Sequence, residues 1–228
     1  MDSVKKKVVY TAIFKDRDEI QRVEKTEGVD YLLFTDNPTL RSDDFKIIVV
    51  PSIFDDPVRN ARFYKILPNR ILAKYDCSLW IDASISIEGI DVNVLFDRYL
   101  KDFDIALHKH PVRNCLYDEA EVCIRNNKDN PAIIREQIEN YRLAGYPKQN
   151  GLASCGIIYR RHTHKVSLFN EAWWKEIVAH SRRDQLSFNY VVRNSGHEYL
   201  ALDGHLRHKD VTGFKLHRHK KRSDFRNW

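Results

Sequence analysis

Glycine, proline, methionine and cysteine are all scarce in this chain of 228 residues, which has 8 Gly, 7 Pro, 1 Met and 4 Cys. Such a composition excludes a collagen-like or low-complexity chain. The cysteines, at positions 77, 115, 123 and 155, form no Cys-x-x-Cys pair, so buried free thiols are expected and not a zinc knuckle or redox motif. No apolar run approaches membrane-spanning length, and no signal-peptide segment follows Met1. We therefore expect a folded, cytoplasmic protein without a transmembrane segment.

Charge of one sign is only mildly in excess, since 38 Lys and Arg residues accompany 32 Asp and Glu residues for a net charge of +6. Much of the excess lies in Lys5 to Lys7 and in the segment from His217 to Arg222. This charge suits an anionic partner, which could be a nucleic acid, a phosphate-rich small molecule or an anionic membrane surface. Charge alone does not choose among the three.

Short apolar runs alternate with helix-forming segments along the chain. Strands are predicted at 8–14, 30–36, 45–50, 78–82, 85–87, 103–108 and 153–159, and helices at 19–25, 58–74 with a break at Pro68, 93–100, 118–144 in one or two pieces, 171–180 and 184–193. This alternation predicts an α/β, Rossmann-like fold with a mostly parallel central sheet and helices on both faces. Because neither a repeat nor a linker is visible, we expect a single domain over residues 1–228, with a basic tail from about residue 204.

Acidic residues fall at the carboxyl ends of predicted strands, where parallel sheets bind ligands. Asp36 follows the second strand and Asp82 the fourth. In Asp82-Ala83-Ser84, an acid and a hydroxyl stand at i and i+2, hence on one face if the chain is extended. A strand-end turn or a helix cap would explain the same tripeptide, as an Asp-Asn-Pro turn would explain Asp36.

Basic residues accompany these acids. Arg59, Arg62 and Lys65 are spaced three apart, so they share one side of the helix predicted before Asp82 and could offset the charge of a diphosphate, unless they form a solvated face. His110 and Arg113 follow the fifth strand and suggest contact with phosphate or sugar hydroxyls. Three His-x-His pairs make a zinc enzyme conceivable, although no well-spaced carboxylate accompanies them: 108/110, 162/164 and 217/219.

Six segments occur in an order that resembles a glycosyltransferase-like family, long called a domain of unknown function, of bacteria and plant cell-wall mucilage proteins. These segments are 9–14, 31–36, 62–68, 75–82, 110–113 and 183–188. That family is similar to GT-A enzymes. The resemblance therefore implies a GT-A type glycosyltransferase of polysaccharide or glycan biosynthesis, with a UDP- or GDP-linked nucleotide-sugar donor and a saccharide or other hydroxyl acceptor.

The resemblance also assigns roles to single residues. Asp82 stands where GT-A enzymes begin an Asp-x-Asp motif that holds a divalent cation, Mn²⁺ or Mg²⁺, and Ser84 replaces the second acid. His217 corresponds more weakly to a C-terminal histidine over the diphosphate. With one carboxylate fewer, a weaker or water-rich metal shell is expected.

The resemblance also implies contacts with the nucleoside, the donor sugar and the acceptor. Thr11, Ala12 and Asp36 would contact the nucleoside, and Asp184, beside Gln185, would contact the donor sugar or act as base on the acceptor. The Trp173-Trp174 pair could form an acceptor platform or pack in the core. Two alternatives remain open: a hydrolase that uses the same metal, and a basic nucleic-acid-binding module, although no nucleic-acid partner is expected.

Overall fold

Strands and helices form largely where the apolar periodicity predicts them. The computed structural model describes residues 5–204, 211 and 213–217. The strands are β1 (Lys7–Ile13), β2 (Val29–Thr35), β3 (Lys46–Val49), β4 (Cys77–Ile81), β5 (Ile85–Ile87), β6 (Ile105–Lys109), β7 (Ala153–Arg161), β8 (Leu200–Leu202) and β9 (Phe214–Leu216). The helices are α1 (Pro57–Ile66), α2 (Pro68–Ile71), α3 (Val92–Tyr99), α4 (Leu116–Arg125), α5 (Pro131–Leu143), α6 (His164–Ala179) and α7 (Asp184–Ser195).

The central sheet has seven strands in the order β3-β2-β1-β4-β7-β6-β8. Strand β7 runs antiparallel to β4 and β6, whereas the other neighbouring pairs of this sheet are parallel. The prediction of a mostly parallel sheet is confirmed. The strand order reverses between β1 and β4, and such a switch point opens a crevice at the carboxyl ends of the two strands.

Helices cover both faces of this sheet, as predicted. Alternate residues of β1 point to opposite sides because the side chains of a strand alternate. Val8 and Tyr10 belong to a core shared with α1, α6 and α7, whereas Val9 and Ile13 belong to a second core shared with α3, β5 and β9. Both sides of the sheet are therefore buried, which explains the nearly continuous apolar run of β1.

The segment 19–25 is not helical, contrary to prediction. Its Val23 is buried and forms an isolated bridge with Ile87, and the Glu24 N–H donates to the Ile87 carbonyl at 2.8 Å. Apart from Ile20 and Val23, residues 19–25 are charged or polar, so a helix would have little apolar face to bury. Backbone pairing with β5 is the alternative that the fold selects.

The start of α6 and the basic tail also differ from prediction. Helix α6 begins at His164 and not at Glu171, because the Thr163 hydroxyl accepts from the Val166 N–H at 3.2 Å and caps the helix. The predicted basic tail from about residue 204 contains β9, which pairs antiparallel with β5. Residues 205–210, 212 and 218–228 of that tail, including His219, lie outside the described residues.

The four cysteines are free and buried, as predicted. Among the described residues, no helix is both long and apolar enough to cross a membrane.

Candidate functional site

Asp82 lies at the switch point of the sheet, directly after β4 and beside the carboxyl end of β1. Its N–H donates to the Gly156 carbonyl of β7 at 2.8 Å, and its carbonyl accepts from the Ile85 N–H at 2.9 Å. The first bond ties Asp82 to β7, and the second closes the turn between β4 and β5. The prediction of a strand-end position for Asp82 is therefore confirmed, at the place in the sheet where a ligand crevice is expected.

The Asp82 carboxylate is partly exposed to solvent, and two side chains hold it by hydrogen bonds. Its side chain is 32% exposed. Oδ1 accepts from the Trp80 indole Nε1 at 2.8 Å and from the Lys65 ammonium at 3.1 Å. Trp80 and Asp82 stand two residues apart and so project on the same side of the extended chain. The carboxylate thus has a fixed direction before any ligand arrives.

A second carboxylate, Asp184, lies behind the first and is only 4% exposed. It comes from the first turn of α7 and pairs with Lys65 Nζ at 2.6 Å and with Arg62 Nε at 3.1 Å. Burial acts to raise the pKa of Asp184, but Arg62, Lys65 and Arg183 outweigh it and hold that pKa well below its usual range. A carboxylate in this state is a weak base, and the role of Asp184 as base or as a contact of the donor sugar stays a prediction.

Lys65 therefore bridges the two acids from a fully buried position, with 1% of its side chain exposed. Arg62, one turn earlier on α1, pairs with Asp184 and lies 4.0 Å from Asp82 Oδ1. Arg59 does not join them, because its guanidinium binds the carbonyls of Ile177 and His180 at the end of α6. Two of the three predicted cations thus reach the site.

The residues expected to contact a nucleoside are mostly inside the protein. Thr11 is 2% and Ala12 is 6% exposed, so neither side chain presents a binding surface. Asp36 is partly exposed, but its oxygens accept from the Lys15 N–H at 2.9 Å and the Ser52 hydroxyl at 2.8 Å. Asp36 therefore ties together the loops that follow β1 and β3, and its contact with a nucleoside stays a prediction.

On the other side of Asp82, the segment after β6 forms a compact ionic cluster. Arg113 Nε pairs with the buried Glu119 at 2.6 Å, and His110 Nδ1 accepts from the Arg113 N–H at 3.0 Å. Gln185 donates to the Ala153 carbonyl at 2.8 Å and so ties α7 to the start of β7. These contacts hold the loop that carries His110 and Arg113.

The TOD1/MUCI70 family, described as a glycosyltransferase-like domain, matches residues 1–202 of this chain. The chain belongs to the TOD1/MUCI70 family. A relative from Arabidopsis thaliana, "Probable hexosyltransferase MUCI70", is 26% identical over 213 aligned residues that cover 81% of this chain and 36% of that protein. This TOD1/MUCI70 domain thus spans little more than a third of that relative's length.

Two solved glycosyltransferase structures show a distant likeness. The apo structure of the bifunctional glycosyltransferase WbbM has a TM-score of 0.48 at 10% identity and covers 89% of this chain and 39% of that chain. Apo mouse xyloside xylosyltransferase 1 has a TM-score of 0.49 at 13% identity and covers 88% and 86%. Neither likeness bears on activity at these scores. The family match confirms the predicted glycosyltransferase-like resemblance and favours it over the hydrolase and nucleic-acid alternatives.

The residues that the resemblance implies for a divalent cation have partners within the fold, and the cation itself stays a prediction. Asp82 Oδ1 already accepts from Trp80 and Lys65, and Ser84 brings a hydroxyl where an acid would stand. His217 is near, since its N–H donates to the Ser84 carbonyl at 2.8 Å, but its Nε2 lies 2.9 Å from the Ser86 hydroxyl. Over the described positions, no group of three or more His, Cys, Asp or Glu residues could hold a metal.

The histidine pairs do not form a zinc centre among the described residues. His108 Nδ1 lies 3.0 Å from the Asp203 carbonyl, and His162 Nε2 lies 2.8 Å from the Ser78 hydroxyl, so both rings have partners within the fold.

Trp173 and Trp174 follow the alternative of core packing, since the two residues are 0% and 8% exposed. Trp173 Nε1 instead donates to the Asp184 carbonyl at 3.2 Å and supports the start of α7.

Trp80 was missed as a site residue. Its spacing of two from Asp82 in a strand is the signal that could have found it.

Proposed function

We propose that this TOD1/MUCI70 domain is a glycosyltransferase that transfers a sugar from a nucleotide-diphosphate sugar to a hydroxyl group of a saccharide or similar acceptor. The family match over residues 1–202 carries the proposal. The description of the Arabidopsis relative as a hexosyltransferase supports a hexosyl group as the transferred sugar. The position of Asp82 at the switch point supports this edge of the sheet as the donor site.

The order of the strands suggests how a donor would lie. Neighbouring strands are about 4.8 Å apart, so two strand spacings separate Asp82 by roughly 10 Å from the end of β2 on one side and from the end of β6 on the other. An extended nucleotide sugar is long enough to cover this edge. We place the nucleoside over β1 and β2, the diphosphate beside Asp82, and the sugar toward His110 and Arg113.

The chemistry of transfer asks for positive charge near the leaving group. A departing nucleoside diphosphate gains negative charge, and one cation at about 4 Å contributes roughly 4 kcal/mol at an effective dielectric near 20. Arg62 is the more accessible of the two bridging cations, with 13% of its side chain exposed. In this arrangement Asp184 holds Arg62 and Lys65 in place, and Asp82 accepts hydrogen bonds from donor hydroxyl groups.

A donor screen tests the proposal. Thermal shift and calorimetry across UDP- and GDP-linked sugars, each with Mn²⁺ and with a chelator, measure donor affinity and its metal dependence together. We expect saturable binding of at least one donor, and a loss of tenfold or more in affinity for Asp82→Asn. The matched control is Asp97→Asn, an exposed acid in α3 that should leave binding unchanged.

Product analysis separates transfer from hydrolysis. With donor and a saccharide acceptor, mass spectrometry should detect a glycosylated acceptor, whereas a hydrolase would release free sugar at the same rate with or without acceptor. If no nucleotide sugar binds in either metal condition, the proposed function is wrong.

A further inference from the structure

Arg160, in β7, is a cation buried beneath the candidate site. Its relative exposure is 0%. Among the ion pairs of the described residues, none joins Arg160 to a carboxylate, although a buried charge without a partner is strongly unfavourable. The groups that Arg160 does contact therefore indicate why the fold retains it.

These contacts converge on the last turn of α1. Arg160 Nη1 donates to the Lys65 carbonyl at 2.8 Å, and the Tyr10 hydroxyl donates to the same carbonyl at 3.1 Å. Nη1 also lies 3.3 Å from the Tyr10 hydroxyl, and the guanidinium carbon lies 5.7 Å from the centre of the Trp173 ring. One backbone oxygen thus receives two buried side-chain donors.

The end of α1 needs these donors because the helical ladder stops there. The helix ends at Ile66, so the Lys65 carbonyl lies in the last turn of α1. Carbonyls in the last turn of a helix lack backbone partners and carry partial negative charge, which a cation stabilises. Arg160 supplies that cation from inside the sheet.

The carbonyl that Arg160 binds belongs to Lys65, whose side chain bridges the two acids of the site. Lys65 Nζ reaches Asp82 at 3.1 Å and Asp184 at 2.6 Å. A shift of the Lys65 backbone would lengthen both contacts at once. We propose that Arg160 is a positioning residue, which fixes the Lys65 backbone so that the Lys65 ammonium bridges Asp82 and Asp184.

Chemical labelling of lysines tests this without any activity assay. Lys65 should resist acetylation in the folded protein because 1% of its side chain is exposed. In Arg160→Met, mass spectrometry should find Lys65 acetylated at least tenfold faster. The control is Ile158→Ala, which truncates another fully buried side chain on the same face of β7.

The charge and donor of Arg160 can be separated by conservative variants. Arg160→Lys keeps a cation and a donor and should restore most of the protection of Lys65, whereas Arg160→Gln keeps only a donor and should restore less. These two variants also decide the question if Arg160→Met does not fold. Unchanged protection of Lys65 in Arg160→Met, or equal exposure in Ile158→Ala, would overturn the proposal.

A kinetic readout rests on the proposed function. With an identified donor, Arg160→Met should lower kcat/KM on the order of 10²-fold, the usual effect of a misplaced site group, and Arg160→Lys should recover most of it. Absence of turnover in the unsubstituted protein contradicts the proposed function alone, because labelling of Lys65 still decides the role of Arg160.

Discussion

Replacement of Lys65 by Met should expose how strongly the two site acids depend on their shared ammonium. Methionine has a similar length and fills the buried space, so the loss of charge dominates the effect. Asp184, with 4% of its side chain exposed, would keep Arg62 but lose the closer contact at 2.6 Å. Removal of one partner from a buried ion pair costs about 3–5 kcal/mol, and the remaining Arg62 puts this variant near the lower figure.

The same variant should change how stability depends on pH. The pKa of Asp184 is lower in the folded than in the unfolded protein, so its contribution is present above the unfolded pKa, about 3.9, and is lost as pH falls below that value. Lys65→Met weakens that depression of the pKa. On acidification, the unsubstituted protein should therefore lose more stability than the variant. The difference between their free energies of unfolding should become smaller.

Urea denaturation followed by tryptophan fluorescence, at pH 7 and at about pH 2.5, well below the unfolded pKa of Asp184, measures both effects. Lys148→Met, which removes an exposed lysine, is the control for the loss of one positive charge. A destabilisation of less than about 1 kcal/mol at pH 7, or one that does not change with pH, would refute the bridging role assigned to Lys65.

Three further results are expected. The pKa of His162 is lowered to about 4, first by burial and then by Arg160, so its neutral form stabilises the fold above the unfolded pKa of about 6.5. Acidification from pH 7 to pH 5 should therefore lower the free energy of unfolding by about 2 kcal/mol. Urea denaturation should show this loss in the unsubstituted protein and not in His162→Asn. Thr163→Ala should cost about 1 kcal/mol by removing the cap of α6, and an equal stability would show that the cap is dispensable. The four buried cysteines should not react with Ellman's reagent in the native protein, and rapid labelling of any of them would contradict its burial.

Much of the site could be predicted because its residues follow simple local rules. Asp82 ends an apolar strand, and Arg62 and Lys65 share a helix face by their spacing of three. The family resemblance then connected these positions with Asp184, more than 100 residues away along the chain. The spacing of residues along the chain could not predict their burial. Asp184 looks like an ordinary first-turn helix residue, yet it lies buried between two cations.

Other features depend on tertiary packing that leaves little trace in the sequence. Arg160 lies in Tyr159-Arg160-Arg161, where nothing in the sequence indicates that it is buried. The sequence does not indicate the antiparallel direction of β7 either. Thr11 and Ala12 were placed correctly at a strand end, but burial depends on the loops above them. The segment 19–25 shows the converse, because local helix propensity lost to pairing with β5.

The pairing of β5 with β9 has a consequence for the order in which the protein can fold during synthesis. Ile85 lies opposite Leu216 and the Ser84 carbonyl receives the His217 N–H, so the turn after Asp82 obtains its last backbone partner from a segment made some 130 residues later. On the ribosome, the seven-stranded sheet could assemble before β5 pairs with β9. The edge of the sheet beside Asp82 would then be completed only once residue 217 has left the exit tunnel, beyond the last position matched by the family at 202.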